Sequence, residues 1–160
     1  MNETMSKEKT DRLERSPIHL LHRAGQCAGD VFQGEMAKGE LTPRQFAVLW
    51  SVSQNEGLSQ TDLVERTGID RSTLADIIRR MLKKGLLTRR RTKEDARAYA
   101  VKLTEEGWRM LRQAEPMARR VDDKILATLP GARAQRFLED LAAIVDALDA
   151  KDEADSRRPE

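Results

Sequence analysis

The chain has very little that oxidative or catalytic chemistry needs. Its 160 residues contain one cysteine, so no internal disulfide can form. That fits a reducing compartment, and the expected location is the cytoplasm. There are two histidines, both in the stretch HLLHRAG, and no glycine-rich phosphate loop or H-E-x-x-H. No nucleophile–base–acid constellation appears, two histidines on one helix give hydrolase chemistry little to work with, and the chain is expected not to be an enzyme. Aromatics are 4% of residues, so Leu, Ile, Val, Ala and Met must build the core. No apolar run approaches the ~20 residues needed to span a bilayer, so no membrane partner is expected. The N-terminal MNETMSKEKTDRLERS lacks an apolar segment and does not read as a secretory signal.

Charge is what the chain has in quantity, at 35% Asp, Glu, Lys and Arg with a net +2. It is unevenly distributed. Residues 71–102 hold eleven Lys/Arg against three acids, a net +8, which leaves −6 on the remainder. A basic segment on an acidic body is the electrostatic footprint of a polyanion binder.

Helix boundaries are marked by caps. Thr42-Pro43 supplies an N-cap hydroxyl and a proline at the first helical position. Ser59 followed by Asp62 resembles a capping box, and Gly68 can end that short helix. Asp70 caps the next helix and Gly85 stops it. Thr104 caps a longer one that Pro116 interrupts, so a kink or an unwound turn is expected there. After Pro130-Gly131 a last helix runs to about Leu148. Strand periodicity occurs at Tyr99, Val101 and Leu103, with Leu86, Leu87 and Thr88 as partner strand and a long basic loop between. Residues 1–13 and 150–160 are expected to be disordered tails.

On a helical wheel, Leu74, Ile77, Ile78 and Met81 form one apolar face of DRSTLADIIRRMLKKG. Ser72, Asp76, Arg79 and Lys83 lie opposite, with Arg80 beside them. Short hydroxyls at Ser72 and Thr73, with Arg71 at the start and cations further on, suit a helix in a DNA major groove. Helix 59–67 with Gly68 completes a helix-turn-helix, and a following hairpin makes it a winged helix. Arg97 is the tip residue aimed at a minor groove, with Asp95 placed to orient its guanidinium. Arg89, Arg90, Arg91 and Lys93 are expected on backbone phosphates. An acid on the groove side argues against an architectural protein that binds DNA by charge alone.

The segments LTPRQFAVLWSV, LSQTDLVERTGIDRSTLADIIRRMLKKGLLTRRR and EDARAYAVKLTEEG resemble the MarR family of bacterial winged-helix regulators. Asp95, Arg97, Val101, Leu103, Thr104 and Gly107 carry the most specific part, and the resemblance covers about residues 14–148. It implies a mainly α fold: a winged helix-turn-helix over 41–103 between an N-terminal helix (14–40) and C-terminal dimerisation helices (104–149). It further implies a homodimer, a palindromic double-stranded DNA operator, and repression relieved by a small ligand. DNA contact is implied for 71–83 and Arg97. The stripes Trp108, Leu111, Val121, Ile125, Leu129 and Phe137, Leu138, Leu141, Ile144, Val145, Leu148 independently ask for partners beyond one winged helix.

On the first helix, His19, His22, Arg23, Gln26 and Asp30 share a face. That face admits three readings: a solvated surface, a metal site, or a cationic pocket for a small anion. Two histidines without clustered cysteine are thin for a metal, and no metal or other cofactor is expected. The family binds aromatic acids between its first helix and neighbouring helices. The resemblance therefore implies an anionic aromatic effector, a phenolic acid or its coenzyme A thioester, at His19, His22 and Arg23, with Trp50 as an aromatic wall. This chain most resembles members that control aromatic-compound catabolism. Cys27 is expected to be a buried, inert thiol rather than a redox sensor, since HRAGQCAGD does not match the peroxide-sensing motif.

Arg97→Ala is expected to weaken operator binding by about 1–3 kcal/mol with little change in melting temperature. Unaltered affinity in a DNA titration would rule out the assigned role of the hairpin tip.

Overall fold

The computed structural model describes residues 12–36, 40–55, 57–92 and 99–156, with side chains through residue 149. Six helices and three short strands are described: α1 (Pro17–Glu35), α2 (Pro43–Gln54), β1 (Leu58–Ser59), α3 (Gln60–Thr67), α4 (Arg71–Lys83), β2 (Leu87–Arg91), β3 (Tyr99–Leu103), α5 (Glu105–Leu126) and α6 (Ala132–Ser156). They fall into two compact units, Met1–Val121 and Asp122–Glu160. No helix among the described residues is long and apolar enough to cross a membrane.

The caps act where the sequence puts them. Thr42 Oγ1 accepts from the Gln45 amide and Gln45 Oε1 accepts from the Thr42 amide, which closes a reciprocal capping box on α2. Ser59 and Asp62 do the same for α3. Gly68 ends α3 with φ +64°, the left-handed conformation that a Cβ disfavours.

The first unit packs around one apolar core. The four-residue face of α4, Leu74, Ile77, Ile78 and Met81, is buried, together with Val48, Leu49 and Val52 of α2, Leu63 of α3, and Leu87 and Val101 of the sheet. Full burial of such side chains stabilises by about 1.5–3 kcal/mol each. The sheet order is β1-β3-β2, antiparallel throughout. Leu87 pairs with Leu103, Arg89 with Val101 and Arg91 with Tyr99.

Beyond the sheet, α4 is joined to α5 by a short hydrogen-bonded corner. The Leu86 carbonyl accepts from the Thr104 amide at 3.1 Å, and Thr104 Oγ1 donates to the Gly85 carbonyl at 2.6 Å. The same hydroxyl accepts from the Gly107 amide at 3.0 Å, capping α5 as expected. A Cβ built on Gly107 would stand 2.1 Å from the Leu86 carbonyl oxygen, so only glycine fits.

Several expectations need correction. Helix α5 continues through Pro116 with no unwound turn. Proline removes one amide and crowds one carbonyl, yet the segment on either side of it remains helical. Helix α6 runs to Ser156 rather than stopping near Leu148, so residues 150–156 are helical and not a disordered tail. Residues 12–14 are helical too. The short strand β1, which pairs Leu58 with Val101, has no period-two signal of its own and was not anticipated. Strand β2 takes in Arg89, Arg90 and Arg91, which were expected in a loop. Their polar side chains hid a strand whose backbone is paired by β3. Cys27 is exposed, not buried.

Gly107→Ala is expected to destabilise the fold by about 1–3 kcal/mol, the usual range for forcing a methyl into filled space. Urea unfolding followed by circular dichroism checks this, and an unchanged midpoint would refute the close approach.

Candidate nucleic-acid interface

Helices α3 and α4 and the β2–β3 hairpin present the basic segment. Asp70 caps α4: its Oδ1 accepts from the Thr73 amide at 2.9 Å and from Ser72 Oγ at 2.7 Å. The bonds from Thr73 and then Ser72 pull the Asp70 carboxyl well below its usual range. Asp62 is likewise lowered, chiefly by the Ser59 hydroxyl and amide. Ser72 therefore offers its oxygen lone pairs outward as an acceptor, because its proton is taken by Asp70. Arg71 Nη1 reaches Thr61 Oγ1 at 3.5 Å and connects the start of α4 to α3.

The outward face of α4 is as the wheel places it. Ser72, Arg79, Arg80 and Lys83 are exposed, and Thr73 and Asp76 are half-buried. Asp76 is bonded to two arginines at once. Its Oδ1 pairs with Arg79 Nη2, and its Oδ2 pairs with Arg80 Nε at 2.8 Å. The Arg79 bond is the largest cause of its lowered pKa. A protruding helix carrying hydroxyls and guanidinium forks can enter a major groove about 12 Å wide.

In the hairpin, period two divides the arginines between faces. Arg89 and Arg91 share the side of Tyr99, and their guanidinium carbons lie 4.9 and 5.9 Å from its ring centroid. The Tyr99 phenol is shifted down, first by a hydrogen bond with Arg91 and then by its charge. Arg90 falls on the opposite face with Ala100 and Lys102. Beyond its place in the strand pattern, Tyr99 is the platform on which two hairpin arginines rest. The register that places it opposite Arg91 was the missing signal. Lys93, Asp95 and Arg97 lie outside the described residues.

The residues considered for an effector lie on α1. His19 is half-buried, while His22 and Arg23 are exposed. Trp50 is 40% exposed and stacks on Phe46 at 6.2 Å between centroids, and Phe46 meets Phe32 of α1 at 6.1 Å. Trp50 is thus joined to α1 through Phe32, nine residues beyond Arg23 and about 13 Å further along a helix. Among the described residues, the ring contacts of Trp50 lead through Phe46 to Phe32 rather than to His19, His22 or Arg23. Among the described residues, no group of three His, Cys, Asp or Glu can hold a metal ion.

Each phosphate neutralised on duplex DNA contributes roughly 0.9 to the slope of log K against log salt. Arg90→Ala, on the outer face of the hairpin, is expected to lower that slope by about 0.9 per half-site while leaving sequence preference unchanged. Binding titrations between about 50 and 200 mM salt test it, and an unchanged slope would remove Arg90 from the phosphate contacts.

The geometry agrees with comparison to known proteins. The MarR family model matches residues 41–99. The transcriptional regulator HosA of Escherichia coli O111:H- is 32% identical over 127 residues, 79% of this chain and 93% of HosA. The repressor CouR, solved on a 23-mer DNA duplex, superposes with a TM-score of 0.76 at 29% identity, covering 84% of this chain and 95% of CouR. Bordetella bronchiseptica BpsR, whose DNA binding is regulated by 6-hydroxynicotinic acid, superposes with a TM-score of 0.74 at 28% identity, covering 79% of this chain and 96% of BpsR. With HosA 32% identical over most of both chains and the family model matching residues 41–99, the chain belongs to the MarR family of DNA-binding transcriptional regulators.

Proposed function

We propose that the chain is a homodimeric, cytoplasmic repressor that binds a palindromic operator and is released by a small aromatic acid or its coenzyme A thioester. The observation that carries the DNA part is the set of exposed cations on two adjacent segments, Arg79, Arg80 and Lys83 of α4 and Arg89, Arg90 and Arg91 of β2. In this reading α4 enters the major groove, with Arg71, Ser72, Thr73, Asp76, Arg79, Arg80 and Lys83 toward the DNA. The wing meets the flanking backbone, and Arg97 takes the minor groove with Asp95 orienting it.

Exposed apolar side chains support dimerisation. Ile18, Leu20 and Leu21 of α1 are exposed, and so are Leu138, Ile144, Val145 and Leu148 of α6. Apolar side chains clustered on exposed helix faces mark partner surfaces. Two-fold symmetry then pairs two recognition helices with two half-sites.

For the effector, support comes from α1, which carries the cationic face of His19, His22 and Arg23 and also the Phe32 edge of the Phe32–Phe46–Trp50 ladder. An aromatic acid would place its carboxylate against Arg23 and its ring against apolar side chains, with Trp50 supplied by the same chain or its dimer mate. The regulation of BpsR by 6-hydroxynicotinic acid makes that acid a natural first probe. The ligand has only to favour a spacing of the two lobes that misses the half-sites. A tenfold loss of DNA affinity corresponds to about 1.4 kcal/mol of coupling.

The test is a DNA-shift titration on the chain's own upstream region, repeated with 6-hydroxynicotinate, phenolic acids and their coenzyme A thioesters. Arg23→Ala is expected to keep DNA affinity and to raise about tenfold or more the ligand concentration that releases DNA, the loss of one charge-assisted contact. Release at the wild-type concentration would place the pocket elsewhere, and loss of DNA binding would make this face structural.

A further inference from the structure

Between Arg71 and Lys93 the chain contains a single acid, Asp76, and it stands on the outward face of α4. A carboxylate directed at a polyanion opposes binding, so an interface built for affinity alone would not hold one there. Stability does not explain it, since ion pairs between exposed side chains on one helix contribute little. The arrangement of the bonds does. Each carboxylate oxygen takes one arginine: Oδ1 holds Arg79 through Nη2, and Oδ2 holds Arg80 through Nε. Each guanidinium carries further N–H donors beyond the nitrogen that meets Asp76. Two long, exposed side chains that would otherwise sweep many rotamers are drawn toward one carboxylate, which biases their direction.

We propose that Asp76 is a positioning residue that sets the sequence specificity of α4. It acts through Arg79 and Arg80 and repels DNA that does not offer both arginines a base edge. On the right sequence, the oriented forks meet guanine O6 and N7 without a further loss of rotamer freedom. On other DNA, phosphates compete with Asp76 for the same guanidiniums, and the carboxylate itself faces the backbone charge. Specificity then comes partly from a built-in penalty against wrong partners. This rests on the reading of α4 as the groove-facing helix.

The test compares wild type, Asp76→Asn and Asp76→Glu on two duplexes. One is recovered from a random library by the wild-type protein, and the other is its scrambled equivalent of equal composition. Asp76→Asn is expected to bind the scrambled duplex about tenfold or more tightly. Its salt slope there should steepen by up to about 1.8 per half-site, as two freed arginines take phosphates. The ratio of affinities for the two duplexes falls accordingly. Asp76→Glu keeps the charge and can still span one turn, so it retains most of the wild-type ratio. Melting temperatures should stay together. If Asp76→Asn leaves both slope and ratio unchanged, or weakens both duplexes alike, the proposal is overturned while α4 remains the DNA helix. If wild type itself shows no salt dependence on either duplex, the interface and the proposal fall together.

Discussion

The carbonyl of Leu86 is the point on which the DNA-binding lobe turns. It lies between the end of α4 and the start of β2, accepts from the Thr104 amide, and faces the bare Cα of Gly107. Thr104 completes the corner by donating to the Gly85 carbonyl and capping α5. In this way the end of α4, the base of the hairpin and the first turn of α5 share one set of hydrogen bonds. A methyl group at position 107 would separate them. The angle between α4 and the hairpin therefore depends on backbone atoms, which are less free to adapt than side chains.

On that frame the charges are arranged rather than merely accumulated. Asp70 and Asp62 are spent on helix starts, where a carboxylate satisfies amides with no partner of their own and meets the positive end of the helix dipole. Asp76 is spent on Arg79 and Arg80, and Tyr99 on Arg89 and Arg91. Four of the basic side chains thus have a local partner that limits their motion before DNA arrives. Preorganisation of this kind lowers the entropy lost on binding.

The connection to α1 is of a different kind. Phe32 meets Phe46 of α2, and Arg120 of α5 pairs with Glu35 of α1 at 2.9 Å between Nε and Oε2. Both contacts gather at the C-terminal end of α1, where Phe32 and Met36 are buried. The N-terminal half keeps Ile18, Leu20 and Leu21 in the open. One helix that touches the DNA-binding lobe at one end and offers apolar surface at the other is suited to couple a partner or ligand to that lobe.

Local chemistry was enough to fix much of this protein. Capping residues and glycines gave the helix starts and stops at Thr42, Ser59, Gly68, Asp70 and Thr104, because each acts within four residues of itself. The wheel of α4 divided buried from exposed positions correctly, since a helix presents residues at fixed angles whatever surrounds it. Basic segregation and the wing motif pointed to DNA and to the family. Other features depended on residues far apart in the chain. Strand β1 exists because β3 offers it a partner, and three arginines form a strand because the same β3 pairs with them from the other side. Tyr99 beneath two guanidiniums and Gly107 against the Leu86 carbonyl follow from register and close approach, which the sequence does not encode locally. That Trp50 stacks on Phe46 and, through it, reaches Phe32 of α1 follows from the packing of α2 and could not be read from its wheel position. The sequence alone determined which residues could be helical and which helix face is apolar or charged; the tertiary structure decided which of them touch, because contact between distant segments is fixed only when backbone pairing and packing bring them together.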